Sequence, residues 1–449
     1  MRITFIIMGT LLLAAFAQAQ GPGPAQTSAT TPVLSIPSSL SLPRVAPILT
    51  GADQMNLYLP LLKGQSVAVF ANQTSRVGKS HLVDTLVKKG IHIVKIFAPE
   101  HGFRGAADAG EQLANAKDAA TGIPIVSLYG SKLKPSAADL ANVDILLFDI
   151  QDVGARFYTY ISSLQELIES AIQNNRPVII LDRPNPNCFY VDGPVLDPKF
   201  RSFVGMQPIP VVYGMTMGEY AKMLIGEQWF DPAVNRELNT DHAINASALR
   251  IDSLIRAMRK RPFTLAMHDF RLVVIPCKGY SHKSRYRLPV KPSPNLPDMQ
   301  SVYLYPSLCL FEGTVISLGR GTPYPFQQFG HPLLPKDLYS FMPRSMEGAK
   351  NPPLINQTCY GYDLSKINVL KETDARFTLK WLILAYRLYP DKDNFFTASG
   401  NFFNKLAGSD LLIQQIRQGL TEEAIRKTWE PALDNFKKIR KKYLLYTDF

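Results

Sequence analysis

A chain of 449 residues, 46% hydrophobic and 19% charged, has an ordinary globular composition, enough for two or three domains and a large core. A formal net charge of +12 fits solvated basic helix faces or attraction to an anionic cell-wall polymer, and no nucleic-acid-binding motif accompanies it. Cys188, Cys277, Cys309 and Cys359 are scattered without CxxC spacing, which argues against structural zinc and leaves one or two disulfides open.

The opening MRITFIIMGTLLLAAFAQAQ has one Arg, an apolar run and Ala17-Gln18-Ala19, the pattern of a secretory signal peptide over residues 1–19. No Cys follows the cleavage point, which argues against a lipoprotein anchor. No later stretch is long enough for a transmembrane segment. The expectation is a soluble, exported, periplasmic protein. Residues 20–44 are rich in Pro, Ser, Thr, Gly and Ala and predict a flexible leader.

Residues 45–228 read as one α/β domain. Gly64 to Ala71 is an apolar strand ending in Asn72 and Gln73. An amphipathic helix from His81 to Lys89 follows. Ile91 to Ala98 is a second strand, ending in Glu100, His101 and Arg104. Pro124 to Leu128 is a short apolar run leading to Tyr129. Val143 to Ile150 is a third strand, ending in Asp149, Gln151 and Asp152, with a helix predicted over Ala155 to Asn174. Pro177 to Leu181 is a fourth, ending in Asp182, Arg183 and Asn185. Near-continuous apolar strands alternating with helices predict a Rossmann-like parallel sheet covered on both faces. Such sheets bind ligands beyond the carboxyl ends of their strands, where these four polar clusters converge. GxGxxG and GxxxxGK[ST] are absent, so no nucleotide cofactor is expected.

Residues 229–449 read as a smaller α+β domain. Thr264 to Pro276 has strand-like alternation, and Pro289 to Pro306 is Pro-rich. Glu312 and Arg320 flank an apolar run. The last hundred residues are mostly helical, with separate helices over Glu422 to Trp429 and Pro431 to Tyr443. The Glu312 and Arg320 loops are expected to close over a cleft between the domains.

Glu100 and His101 are the leading acid–base candidates, because a partly buried carboxyl at a strand end suits a general acid. Asp152 is the candidate second carboxylate, against the plainer reading of a helix cap. Arg156 suits an anion, and Tyr158 and Tyr160 a sugar face. The remaining histidines lack HExxH or close pairing, so no metal site is expected. No GxSxG elbow is present. Carboxylates, amides, Arg and aromatics around one cleft fit glycoside chemistry best.

NQTS at Asn72 to Ser75, FAPEHGFRG at Phe97 to Gly105, FDIQDVGARFYTY at Phe148 to Tyr160, DRPNPN at Asp182 to Asn187 and EGTVISLGRGTPYPFQQFG at Glu312 to Gly330 resemble the YbbC-like family. Characterised members of that family are exo-β-N-acetylmuramidases (NamZ; glycoside hydrolase family 171). The resemblance runs from about Val45 to the C-terminus. It implies a Rossmann-like domain, a smaller second domain and an active site between them. The implied reaction releases N-acetylmuramic acid from non-reducing ends of peptidoglycan fragments, cleaving its β-1,4 bond to N-acetylglucosamine. The family's catalytic glutamate would fall on Glu100, and other cleft residues on His101, Arg104, Asp152, Arg156, Asp182 and Glu312. For this substrate Arg156 or Arg320 would hold the lactyl carboxylate, and Asn72, Asn185 or Gln151 the acetamido group, with Gln73, Asp149 and Arg183 beside them. Two rival readings are a non-catalytic sugar-binding protein and a metal-dependent hydrolase using His101 and the strand-end aspartates.

Overall fold

The computed structural model describes residues 47–100, 102–104, 116–240 and 245–449. The expected signal peptide and leader lie outside them, as does His101. Residues 47–449 belong to one compact unit.

Its centre is an eight-stranded sheet. In chain order the strands are β1 (Val67–Ala71), β2 (Ile93–Ala98), β3 (Ala116–Lys117), β4 (Pro124–Ser127), β5 (Ile145–Asp149), β6 (Val178–Leu181), β7 (Phe263–Met267) and β8 (Phe270–Ile275). Their spatial order is β7-β8-β6-β5-β1-β2-β4-β3. All neighbours are parallel except the two edge pairs, β7–β8 and β3–β4. The register sets Phe70 beside Phe148 and Ala71 beside Asp149, so these strands end level.

The period of two explains why the strands are apolar throughout. Ala68, Phe70, Leu146, Phe148, Val178 and Ile180 enter one core. Val67, Val69, Ile145, Leu147, Ile179 and Leu181 enter the other, across the sheet. Helices α1 (Met55–Leu62) and α2 (Leu82–Lys88) contribute to the second core, and α3 (Tyr160–Gln173) and α4 (Met217–Gly226) to the first. Thr216 and Glu219 form a capping box that starts α4.

The remainder is the smaller α+β part: α5 (Met299–Leu308), a 3₁₀ turn over Cys309–Gly313, the sheet β9 (Gln328–His331), β10 (Tyr339–Phe341) and β11 (Cys359–Asp363), then α6 (Asn401–Ala407) and α7 (Glu422–Lys441). β11 is central and antiparallel to both neighbours.

Three differences from the sequence reading have physical causes. Strands β7 and β8, expected in the second domain, extend the main sheet, because Leu272–Ile275 pair in parallel with Val178–Leu181. The helix expected from Ala155 starts at Tyr160. Gly154 takes a φ of +80°, and its N–H is held by Asp152 Oδ2 at 2.6 Å, so Asp152 closes a turn in the preceding loop instead of capping the helix. Pro431 lies inside α7, which is one helix. The lost backbone bond is offset by a buried stripe of Ile425, Trp429, Leu433 and Phe436.

The four cysteines are free and buried, so the disulfides left open by the sequence do not form. No described helix is long and apolar enough to cross a membrane.

Candidate active site

Beyond the carboxyl ends of β2, β4 and β5 lies a cavity of about 410 Å³. Glu100 comes from the β2 end and Tyr129 from the β4 end. Phe157, Tyr158, Thr159 and Tyr160 come from the loop after β5. The opposite wall is Ser293, Asn295, Tyr305, Glu312, Arg320, Phe326 and Phe402. The cavity therefore lies between the Rossmann-like part and the smaller part.

Tyr129 hydrogen-bonds the Glu100 carboxylate. Burial, then that carboxylate, pushes its phenol well above the usual range, so the hydroxyl stays protonated. The Tyr160 phenol is likewise raised by burial and by Glu100. Its oxygen accepts from Asn72 Nδ2 at 2.9 Å. The Tyr158 hydroxyl donates to Pro292 O at 2.9 Å, and the two tyrosine rings meet edge to face at 4.8 Å. Across the cavity Arg320 donates through Nε and Nη2 to Glu312 Oε1, at 3.0 and 2.5 Å, and its guanidinium stacks over Phe326. Each partner is about a quarter exposed, and the pair leaves Nη1 outside it. The result is one acid held by a phenol, one arginine and broad aromatic faces. Apolar walls carrying a few convergent polar groups suit a saccharide.

Of the residues singled out from sequence, Glu100, Tyr158, Tyr160, Glu312 and Arg320 line this cavity. Most of the others are buried beneath or beside it, with their polar groups used inside the protein. Asn72 bonds Thr74 through Oδ1 as well as Tyr160. Gln73 donates to Pro292 O, securing the loop that carries Ser293. Asp149 and Arg183 form a buried two-point ion pair at 2.6 and 2.8 Å. Gln151 donates to the carbonyls of Asp152 and Pro184. Asp182 accepts from Thr216, Gly218 and Tyr446. Asn185 bridges Met215 O and Asn187 N.

Arg156 and Arg104 also turn away from the cavity. Arg156 is wholly buried, with its guanidinium on the carbonyls of Pro194, Ile209 and Leu406, so it does not face the cavity. Arg104 pairs with Asp84 and Asp118. Asp152 accepts from Gly154 N and the Tyr213 hydroxyl through Oδ2. Its Oδ1 has no partner among the described residues, and burial pushes its carboxyl up to about 6. It does not line the cavity.

The sequence reading missed Tyr129, Asn295 and Tyr305, while Tyr160, paired with Tyr158 there as a sugar-facing ring, does line the cavity. Tyr129 carried a usable signal, a polar ring directly after an apolar β-run. Tyr305 carried none, because on α5 it looks like a core residue. The described residues bring Cys188, Glu219 and His282 within metal-ligand range of one another, at a buried position away from the cavity and distinct from the His101 site considered above. There His282 contacts Glu219 and Asp448, and Arg440 also bonds Asp448, which ties the C-terminal tail to α4.

Fold and cavity together define a carbohydrate-type site at the rim of a Rossmann-like sheet. The chain belongs to the NamZ family: the model of the exo-beta-N-acetylmuramidase NamZ N-terminal part matches residues 67–300, and that of the C-terminal part matches 303–446. It is 35% identical over 407 residues to the peptidoglycan beta-N-acetylmuramidase NamZ of Bacillus subtilis, covering 87% of this chain and 89% of that one. Two crystal structures of DUF1343 family proteins from Bacteroides fragilis share the fold. One is 43% identical with a TM-score of 0.76, the other 26% identical with 0.69. Each alignment covers 90% of this chain and all of the other.

Proposed function

We propose that this protein is an exo-acting glycoside hydrolase that removes N-acetylmuramic acid from the non-reducing ends of peptidoglycan fragments. The observation that carries this is the cavity, which sets Glu100 across from Arg320 between aromatic walls, in a chain that belongs to the NamZ family. The terminal sugar packs on the tyrosine faces. Its lactyl carboxylate meets the Arg320 guanidinium, a charge-assisted contact that N-acetylglucosamine cannot make. Glu100 protonates the leaving glycosidic oxygen, and the resulting carboxylate then takes the proton of the incoming water. Tyr129 steadies that carboxylate by donating its hydroxyl. His101, next in the chain, belongs to the same proposal. The leader sequence supports export to the periplasm, where this polymer lies.

The test is hydrolysis of a chromogenic β-N-acetylmuraminide and the matching β-N-acetylglucosaminide, by wild type and Glu100→Gln, with and without chelator. Release from the muraminide alone, lost in Glu100→Gln and indifferent to chelator, is the expected result. Binding without turnover would make this a sugar-binding protein instead.

A further inference from the structure

The cavity does not end at the Glu312–Arg320 pair. A second basin of about 290 Å³ shares Glu312, Arg320 and Phe402 with it, and its far wall is apolar, with Ile316, Leu318 and Pro353. Phe402 stands on the boundary between the two. It is 40% exposed, while the adjacent Phe403 is fully buried.

The backbone is built to put this ring there. Ala398, Ser399 and Gly400 have φ of +45°, +55° and +81°, three consecutive left-handed residues just before α6. Ala and Ser adopt that conformation only at a cost. Gly313 follows Glu312, and a Cβ on it would lie 2.5 Å from Phe403 Cα, so glycine lets α6 pack directly against the Glu312 turn. A single exposed Phe is common on protein surfaces. One carried to a cavity rim by strained backbone and a close glycine contact calls for a role.

We propose that Phe402 and the basin beyond it receive the leaving saccharide, the N-acetylglucosamine on the reducing side of the scissile bond. The inference rests on the exo-hydrolase reading above. An exo-acting enzyme encloses the terminal sugar, so the rest of the strand must leave across the rim. There the apolar C–H face of a pyranose packs on the aromatic ring, and the Glu312 carboxylate offers a polar partner to its edge. Phe402 is thus a specificity-determining residue for the leaving group.

The experiment compares two substrates: β-N-acetylmuraminyl fluoride, whose leaving group has no ring, and the disaccharide of N-acetylmuramic acid β-1,4-linked to N-acetylglucosamine. In Phe402→Ala the disaccharide-to-fluoride ratio of kcat/KM is expected to fall about tenfold, mainly through KM. Phe402→Tyr, which keeps the ring, should restore it. A ratio that does not move, whether both rates hold or both drop together, overturns the proposal and makes Phe402 only part of the cavity wall. Wild type that cleaves neither substrate overturns the hydrolase reading itself, a separate outcome.

Discussion

Replacing Arg183 by Met tests whether the polar strand ends hold the cavity up or bind sugar. Arg183 and Asp149 are 3% and 0% exposed and share two hydrogen bonds of 2.6 and 2.8 Å. Removing the cation leaves a carboxylate sealed in the core at the end of β5, a loss of about 3–5 kcal/mol. Burial already pushes the Asp149 carboxyl up, and Arg183 is the main group opposing that. Without Arg183 the folded-state pKa rises further above the unfolded value, so the variant binds a proton more tightly when folded. Its deficit is therefore smallest at low pH and grows as pH rises through the folded value. Urea unfolding, followed by tryptophan fluorescence at pH 5 and pH 8, should show a larger loss at pH 8. Asp149→Asn combined with Arg183→Met should recover part of it. A loss below about 1 kcal/mol, or one equal at both pH values, refutes the buried-charge argument. An unchanged urea midpoint with a raised KM would return Arg183 to the substrate.

Tyr129→Phe removes the hydroxyl on Glu100 and should lower kcat/KM about 10- to 100-fold without shifting the urea midpoint, as expected for a hydrogen bond to a charged group. Arg320→Met should erase most of the affinity difference between N-acetylmuramic acid and N-acetylglucosamine, a change of about 10- to 100-fold measurable by calorimetry. Against the upward push of burial, Arg440 and His282 hold the Asp448 carboxyl down to about 2. Its contribution to stability is present above the unfolded carboxylate value and is lost as pH falls toward 2, and Asp448→Asn should flatten that part of the acid-unfolding curve. Gly154→Ala meets both a φ of +80° and Asn185 Oδ1 at 2.2 Å, and should lower the thermal midpoint by several degrees, read by calorimetry.

The sheet was legible because its signal is local. Runs such as Val67–Ala71 and residues 145–148 are apolar at every position, and that requires cover on both faces. Glu100 was legible for the same reason: topology alone sends every parallel strand end to one rim. The reading overreached at Asn72, Asp149, Arg156 and Asp182, since a polar residue at a strand end looks the same whether it faces a ligand or the protein. Burial separates these cases. Asp182 has three donors from Thr216, Gly218 and Tyr446, two of them over 30 residues away in the chain and one 264.

By itself, then, the sequence determined the parallel sheet and the family and placed Glu100 at the end of β2, because apolar runs and long motifs are properties of contiguous residues. Tertiary structure alone decided which polar groups reach the cavity. It joined β8 to β6 across more than ninety residues, set Tyr129 on Glu100, turned Arg156 inward onto carbonyls and left Arg320 as the arginine on the cavity wall. The physical reason is that desolvation is set by neighbours distant in the chain. A guanidinium sealed among carbonyls and one stacked at a cavity rim differ in surroundings that no local spacing encodes.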